Sequence, residues 1–222
     1  HKLLKVAFPV DIHTNEGVHE IQFGHISRPN HKSRPFDADR FEVCNHKWSA
    51  IMEQNRGFAV LNDCKYGVNV LGNSINLTLL RAPLAPDMNA DKGFQHFTYS
   101  FYAWNGCFME SDVIQEAYDL NYPVMAVEGA VEKSASLFSL DASNIILETV
   151  KPAEDGSNDI ILRLYEAKRT ATRCILTTAF PVVAAEQTDM LENSEKALDV
   201  QGNKICLDFR PFEVKTVRIK MG

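Results

Sequence analysis

Short apolar runs bounded by Gly, Pro, Asn and Asp recur along the whole sequence, and many of them alternate apolar with polar residues. Such alternation is typical of β-strands rather than of helices. The pattern predicts strands at residues 3–10, 18–23, 40–43, 57–61, 75–80, 94–102, 124–127, 136–140, 145–150, 160–165, 173–177, 205–209 and 213–219. Strands of this length and regular spacing favour an antiparallel β-sandwich, so we predict an all-β fold.

One short segment has the periodicity of a helix. Ser111 precedes it as a candidate N-cap, Asp112 lies in the first predicted turn, and the segment ends near residues 121–123. Its apolar face consists of Val113, Ile114, Ala117 and Tyr118. We therefore predict one short helix in an otherwise β chain.

The chain has 222 residues, of which 45% are hydrophobic, and this is enough to bury one large β core or two smaller ones. The pattern changes near residues 128–133, after the predicted helix. We therefore predict part of a large β-sandwich at residues 1–129 and a smaller C-terminal β-sandwich at residues 130–222. The polar stretch KPAEDGSN at residues 151–158 is predicted as a hairpin loop of the second sandwich.

Composition excludes several classes of partner and indicates a compartment. The net charge of -6, with Lys and Arg thinly spread, argues against nucleic acid, and no run approaches the ~20 apolar residues of a membrane helix. The five cysteines are far apart and form no CxxC pair, which favours a reducing, cytoplasmic setting over disulfides or structural zinc. The start HKLLKVAFPVD lacks Met and a signal peptide and already has a strand pattern, so we expect a fragment of a longer protein.

The sequence contains no familiar catalytic motif. GxSxG, HExxH, P-loop and Rossmann glycine patterns are absent, and acidic pairs cannot be placed without a fold. His13, His19, His25 and His31 recur every six residues, but in an extended strand such positions are ~20 Å apart. They cannot share one metal ion in a straight strand, so solvent-exposed strand ends and turns are the default interpretation of these histidines.

Polar clusters follow three apolar stretches, at residues 24–31, 61–67 and 79–87, where we expect loops at one rim of a sandwich. Arg81 is the main candidate for binding, because its planar donor fork suits a carboxylate or vicinal sugar hydroxyls. The alternative is that Arg81 pairs with Asp63 or Asp87 to hold its loop. Lys65 and Tyr66 are open to the same two interpretations.

These stretches also carry a family resemblance. The following segments, in this order, resemble the C-terminal half of glycoside hydrolase family 38 α-mannosidases, most closely the cytosolic and bacterial branch: HKLLKVAFPVD, EIQFGHISRPNH, RFEVCNHKW, LNDCKYGVNVLGN, LTLLRAPLAPD, FTYSFY, ILRLYEA and RPFEVKTVRI. The similarity covers nearly the whole chain. It departs from the family at residues 32–36 and 189–193, which affects local loop contacts.

The resemblance implies a supersandwich-like β domain followed by a smaller sandwich, taken from an enzyme that removes α-linked mannose with retention. A zinc ion held by two His and two Asp, and the nucleophilic aspartate, would then lie in an N-terminal domain outside this chain. By motif match, the Arg81 loop is the candidate for contact with the sugar, followed by Asp63, Lys65 and Asp87. The partners implied are that N-terminal domain and an α-mannoside oligosaccharide.

Two other classes remain open at this point. A stand-alone carbohydrate-binding module would be a β-sandwich too, although such modules display aromatic platforms and the chain has only Trp48 and Trp104. A structural or oligomerisation module is the other alternative, since exposed strand edges and apolar faces favour self-association. Binding of mannose or mannobiose by the chain alone would favour the first, and light scattering would test the second.

Overall fold

The computed structural model describes residues 2–130 and 133–221. The chain divides into two compact units, one ending at Ala126 and the other beginning at Val127, three residues before the predicted boundary. The strands of the described part form four sheets, two in each unit, and all their pairings are antiparallel. The predicted all-β fold class is therefore confirmed.

The first unit is a sandwich of two sheets. Its strands are β1 (Leu4–Pro9), β2 (Glu16–Ile21), β3 (Gly24–Pro29), β4 (Val43–Cys44), β5 (Trp48–Met52), β6 (Arg56–Asn62), β7 (Gly67–Leu71), β8 (Ser74–Leu80) and β9 (Tyr99–Asn105). One sheet has the order β1-β8-β7-β4, and the other has the order β3-β2-β5-β6-β9. In β8, Ile75 and Leu77 are fully buried while Asn76 between them is partly exposed, as the two-residue period of a strand requires.

Both sheets contribute to the buried core of this unit. The core consists of Ile12, Ile51, Val60, Val68, Val70, Ile75 and Leu77. Burial of an aliphatic side chain of this size stabilises a fold by about 1.5–3 kcal/mol, so this layer is the main reason why the two sheets stay together.

The first unit also contains two short α-helices, α1 (Pro35–Asp39) and α2 (Val113–Asn121), with one turn of 3-10 helix at Phe108–Glu110. Helix α2 is the predicted helix, and Val113, Ile114 and Ala117 on its inner face are buried. The N-cap prediction was wrong: Asp112 occupies that position, because Ser111 closes the 3-10 turn by donating its hydroxyl to the Phe108 carbonyl at 2.8 Å. Helix α1 was not predicted from the sequence.

The second unit repeats the two-sheet arrangement. Its strands are β10 (Phe138–Leu140), β11 (Ile145–Pro152), β12 (Ile160–Glu166), β13 (Thr172–Thr178), β14 (Val182–Thr188), β15 (Ser194–Leu198), β16 (Val200–Gln201), β17 (Lys204–Phe209) and β18 (Val214–Met221). The sheet orders are β10-β13-β17-β16 and β11-β12-β18-β14-β15. Strands β11 and β12 form the antiparallel pair that the polar loop at 151–158 was predicted to connect.

Some strand predictions were wrong. Residues 124–127 form no strand, and the side chains of Val124, Met125 and Val127 are 97%, 89% and 89% exposed. Residues 94–98 precede β9 as a loop instead of belonging to it. Six strands were not predicted: β3, β5, β7, β14, β15 and β16. None of the helices within residues 2–130 and 133–221 has the length and apolar character needed to cross a membrane.

Candidate functional site

Two loops of the first unit contain the residues predicted from the sequence as candidates for sugar binding, and hydrogen bonds tie these loops together. The first loop follows β6 and carries Asp63 and Lys65, and the second runs from Arg81 to Thr98 between β8 and β9. The Asp63 amide donates to the Thr98 carbonyl at 3.2 Å, and the Thr98 amide donates to the Asp63 carboxylate at 2.9 Å. Asp63 therefore joins the two loops.

The electrostatics of Asp63 reflect this role. Partial burial alone would raise the pKa of its carboxyl group, but hydrogen bonds from Cys64 and Thr98 outweigh that effect and hold the pKa below its usual range. An ionised carboxylate that accepts hydrogen bonds from its own loops is a structural group. Asp63 thus positions the loops, and its interactions are directed inward.

Arg81 is anchored through its backbone while its side chain extends outward. One carboxylate oxygen of Asp91 accepts the amide hydrogens of Arg81 and Ala82 at 2.7 and 2.8 Å. Ala82 has a φ of +49°, so the chain turns sharply immediately after Arg81. Within residues 2–130 and 133–221, the guanidinium of this exposed side chain forms no ion pair with an acidic group. The predicted alternative, a pair with Asp63 or Asp87, is thus not formed.

Asp91 also brings Lys65 and Arg81 into one electrostatic neighbourhood. The backbone hydrogen bonds from Arg81 and Ala82 hold the pKa of Asp91 below its usual range, and the charges of Lys65 and Arg81 add to this effect. Lys65 places its ammonium group 4.8 Å from the centre of the Phe97 ring, a cation–π contact with the second loop. The structure therefore brings Lys65 and Arg81 close to Asp91, and Asp63 contacts the other end of the same loop at Thr98.

Asp87 is separate from this group. It is exposed, and its carboxylate accepts the amide hydrogen of Asn89 at 2.8 Å in a local turn. Of the four predicted residues, Lys65 and Arg81 lie near Asp91, Asp63 contacts Thr98, and Asp87 shapes its own turn. Asp91 was missed, because it lies ten residues after Arg81 in a polar stretch and only the folded loop reveals its role.

A cavity of about 410 Å³ adjoins the first loop. It is lined by His46, Lys47, Tyr66, Asn121 and Tyr122. The Lys47 ammonium lies 2.9 Å from the carboxylate of buried Glu20. Burial raises the pKa of Glu20, and the attraction of Lys47 opposes this effect only in part. The cavity combines aromatic faces with hydrogen-bond donors, a composition that suits sugars.

The histidines at six-residue spacing lie in different environments. His13 and His31 are exposed, His19 is buried in β2, and His25 packs against the ring of Trp48 with 6.0 Å between ring centres. No set of three or more His, Cys, Asp or Glu side chains within the described ranges 2–130 and 133–221 could hold a metal ion. The donor groups of these residues therefore do not fit a zinc site.

Comparison with known proteins gives consistent matches. The model of the glycosyl hydrolases family 38 C-terminal domain matches residues 1–89, and that of the family 38 C-terminal beta sandwich domain matches residues 144–217. Alpha-mannosidase 2C1 of Homo sapiens is 43% identical over 221 residues, which cover 96% of this chain and 21% of that protein. Alpha-mannosidase of Saccharomyces cerevisiae is 32% identical over 243 residues, covering 99% of this chain and 22% of that protein.

The chain thus spans about a fifth of the length of these curated relatives. Among solved structures, an alpha-mannosidase from Enterococcus faecalis V583 superimposes with a TM-score of 0.79 and 21% sequence identity. The superposition covers 98% of this chain and 26% of the bacterial one. At this level of identity the similarity establishes the fold.

Proposed function

Because this chain belongs to the C-terminal region of glycoside hydrolase family 38, we propose that it is the non-catalytic β portion of a retaining α-mannosidase. We further propose that it supplies the Arg81 loop to the pocket that binds terminal α-linked mannose. One observation carries this proposal: the Arg81 guanidinium extends, without an ion-pair partner among the described residues, from a backbone that Asp91 holds in place.

The anchoring supports a binding role because it reduces the entropy lost when a ligand is bound. Asp91 fixes two successive amides, and Asp63 ties the far end of the loop, at Thr98, to the loop that follows β6. A side chain on a fixed backbone loses less freedom on binding than one on an unrestrained loop. The free guanidinium fork matches the spacing of two vicinal hydroxyls, such as those of a mannose ring.

The chemical step belongs, in this proposal, to the part of the polypeptide that precedes the chain. Retaining hydrolysis needs two carboxyl groups about 5–5.5 Å apart across the scissile bond, one as nucleophile and one as acid and base. We expect those groups and a zinc ion in the N-terminal domain, since the curated relatives are about five times longer than this chain. The described residues offer no set of metal ligands, so no zinc-dependent step is assigned to them.

Substitution of Arg81 in the full-length enzyme tests this proposal. We expect Arg81→Ala to lower kcat/KM for an aryl α-mannoside by about 10- to 100-fold, since one desolvated charge-assisted hydrogen bond contributes about 1.5–3 kcal/mol. Arg81→Lys should retain part of the activity, because the charge remains and the fork is lost. Arg173→Ala is the matched control, since this arginine is 73% exposed and its ion-pair partner Asp208 is 75% exposed. Unchanged kinetics in both Arg81 variants would refute a substrate-facing role.

A second candidate function rests on the 410 Å³ cavity. Tyr66 and Tyr122 line it and are 50% and 66% exposed, so they could provide the stacking faces of a carbohydrate-binding module. Calorimetric titration with mannose and mannobiose would test this function. Millimolar or tighter binding by the chain alone, lost in Tyr122→Ala, would favour the module, and absence of binding heat would exclude it.

We also propose a cytoplasmic location for the parent enzyme. All five cysteines are free, and Cys44, Cys64 and Cys107 are exposed, which suits a reducing compartment. Subcellular fractionation of the full-length protein would test this, and recovery from a secretory compartment would contradict it.

A further inference from the structure

A second cavity of the first unit, of about 250 Å³, lies between β3 and helix α1. It is lined by Ser27, Arg28, Pro29, His31, Phe36, Asp37 and Arg40. Its position differs from that of the Arg81 loop, and the residues that line it were not selected as a site from the sequence. The local charge is also unusual, since residues 28–40 contain four Lys or Arg and two Asp in a chain of net charge -6.

Neither guanidinium at this cavity is neutralised by the described part of the protein. The Nε atom of Arg28 is buried and has no hydrogen-bond acceptor there, and Arg28 forms no ion pair within the described residues. Arg40 contacts the ring of Phe36, 4.9 Å from the ring centre, and also forms no ion pair within residues 2–130 and 133–221. Two cationic forks thus line one small cavity, and neither forms an ion pair within the described residues.

The carboxylate in the lining does not compensate for these charges. Asp37 is buried, and its carboxylate accepts the backbone amide hydrogen of Arg34 at 2.9 Å. The same oxygen lies 3.9 Å from Nδ1 of His31, and the carboxylate forms no ion pair with Arg28 or Arg40 within the described residues. An acceptor for Arg28 and Arg40 therefore has to come from outside the described residues.

The neutral donors at the cavity complete the pattern. Nδ1 of His31 lies 2.9 Å from the Ser33 hydroxyl and 3.4 Å from the Ser33 amide nitrogen. Nε2 of His31 forms no hydrogen bond within residues 2–130 and 133–221, and Ser27 is exposed. Two guanidinium forks, an imidazole N–H and a hydroxyl form a donor set that matches a tetrahedral oxyanion.

We propose that this cavity binds a small phosphate-bearing ligand, of a size between inorganic phosphate and a hexose monophosphate. The volume lies just below the range of about 300–1,000 Å³ that is typical of drug-sized ligands, which favours such a small anion. A polymeric phosphate does not fit, because the net charge of -6 would repel it outside the cavity.

Isothermal titration calorimetry on the full-length enzyme tests the proposal, with inorganic phosphate and mannose 6-phosphate as separate probes at constant ionic strength. We expect saturable binding at one site per chain, weakened about tenfold or more by Arg28→Gln and by Arg40→Gln. Arg34→Gln is the matched control, because Arg34 lies beside the same Phe36 ring, 5.6 Å from its centre, and does not line the cavity. Tighter binding of the sugar phosphate than of phosphate would identify the hexose ring as part of the ligand.

Several outcomes would overturn the proposal. The first is the absence of saturable heat with both probes. The second is an adventitious ion only, shown by equal binding in the parent enzyme and in all variants. The third is a loss of binding in Arg34→Gln equal to that in the Arg28 and Arg40 variants. Arg40 is exposed, so its variant remains informative if Arg28→Gln is unstable, and urea unfolding of each variant establishes that it is folded. Failure here would leave the Arg81 kinetics unaffected, so the two proposals are tested separately.

Discussion

Acid should destabilise the first unit through His19, a buried imidazole that accepts no proton until the pH is well below neutral. The side chain is 1% exposed, and its Nδ1 lies 2.9 Å from the Ser49 hydroxyl. Burial lowers the pKa of His19 from 6.5 to about 4, with a smaller contribution from the charge of Arg28. In the unfolded chain the same ring takes up a proton near its ordinary pKa.

The direction and size of the effect follow from this difference. The stabilisation is fully present above pH 6.5, decreases as the pH falls, and is lost at about pH 4, below which both states are protonated. The complete loss is about 3 kcal/mol, and about 2 kcal/mol of it occurs by pH 5. This is a large fraction of the stability of a typical domain.

Tryptophan emission is the suitable signal, because both tryptophans, Trp48 and Trp104, are in the first unit and are largely buried. Urea unfolding would be followed at pH 7.5 and pH 5, in buffers without phosphate, for the parent chain and for His19→Gln. Between pH 7.5 and pH 5, the free energy of unfolding should decrease by about 2 kcal/mol less in the variant than in the parent chain. His13→Gln is the control, since the side chain of His13 is 82% exposed and hydrated in both states.

Glu20 is the reason why the parent chain has to be compared with His19→Gln. Burial raises its pKa, so the folded state binds a proton before the unfolded chain does, and its contribution to stability increases as the pH falls. This trend opposes that of His19, but it is present in both proteins and cancels when they are compared. An identical loss of stability in the parent chain and in His19→Gln would refute the reasoning.

Three further predictions concern single substitutions. Gly57→Ala should destabilise the first unit by about 1–3 kcal/mol, because a Cβ atom there would lie 2.0 Å from the Trp104 ring; an unchanged urea midpoint of tryptophan emission would contradict this. Glu166→Ala should destabilise the second unit by about 3 kcal/mol, since this fully buried carboxylate accepts at least three hydrogen bonds. Circular dichroism should show that loss while the midpoint of tryptophan emission stays in place. Asp91→Ala in the full-length enzyme should lower kcat/KM several-fold through release of the Arg81 loop, and kinetics like those of the parent enzyme would show that the anchor is dispensable.

Strands with clear apolar patterns could be predicted from the sequence, and others could not. Strand β12 (Ile160–Glu166) is rich in large aliphatic residues, and its position was predicted within one residue. In β5, Trp48 to Ile51 are all buried and Ser49 is the one polar residue among them, so no repeated alternation of apolar and polar residues reveals a period of two. Strand β3 (Gly24–Pro29) is short and polar, and it is a strand because its backbone pairs with β2. That pairing depends on tertiary structure, which local periodicity does not encode.

The candidate site could also be predicted from the sequence only in part. The polar loops after apolar strands predicted Lys65 and Arg81 at one rim of the sandwich, and in the structure the charges of both side chains act on Asp91. The residue that organises them, Asp91, has no sequence signal, since its hydrogen bonds to Arg81 and Ala82 exist only in the folded loop. The cavity at Arg28 and Arg40 also depends on the fold, because strand β3 and helix α1 bring these side chains to the same cavity.

The most direct measurement compares the isolated chain with the full-length enzyme on an aryl α-mannoside, both with added zinc. We expect hydrolysis only by the full-length enzyme, because we propose that the reacting carboxyl groups and the metal ligands belong to another part of the polypeptide. Turnover by the isolated chain at a rate close to that of the full-length enzyme would contradict this division of roles.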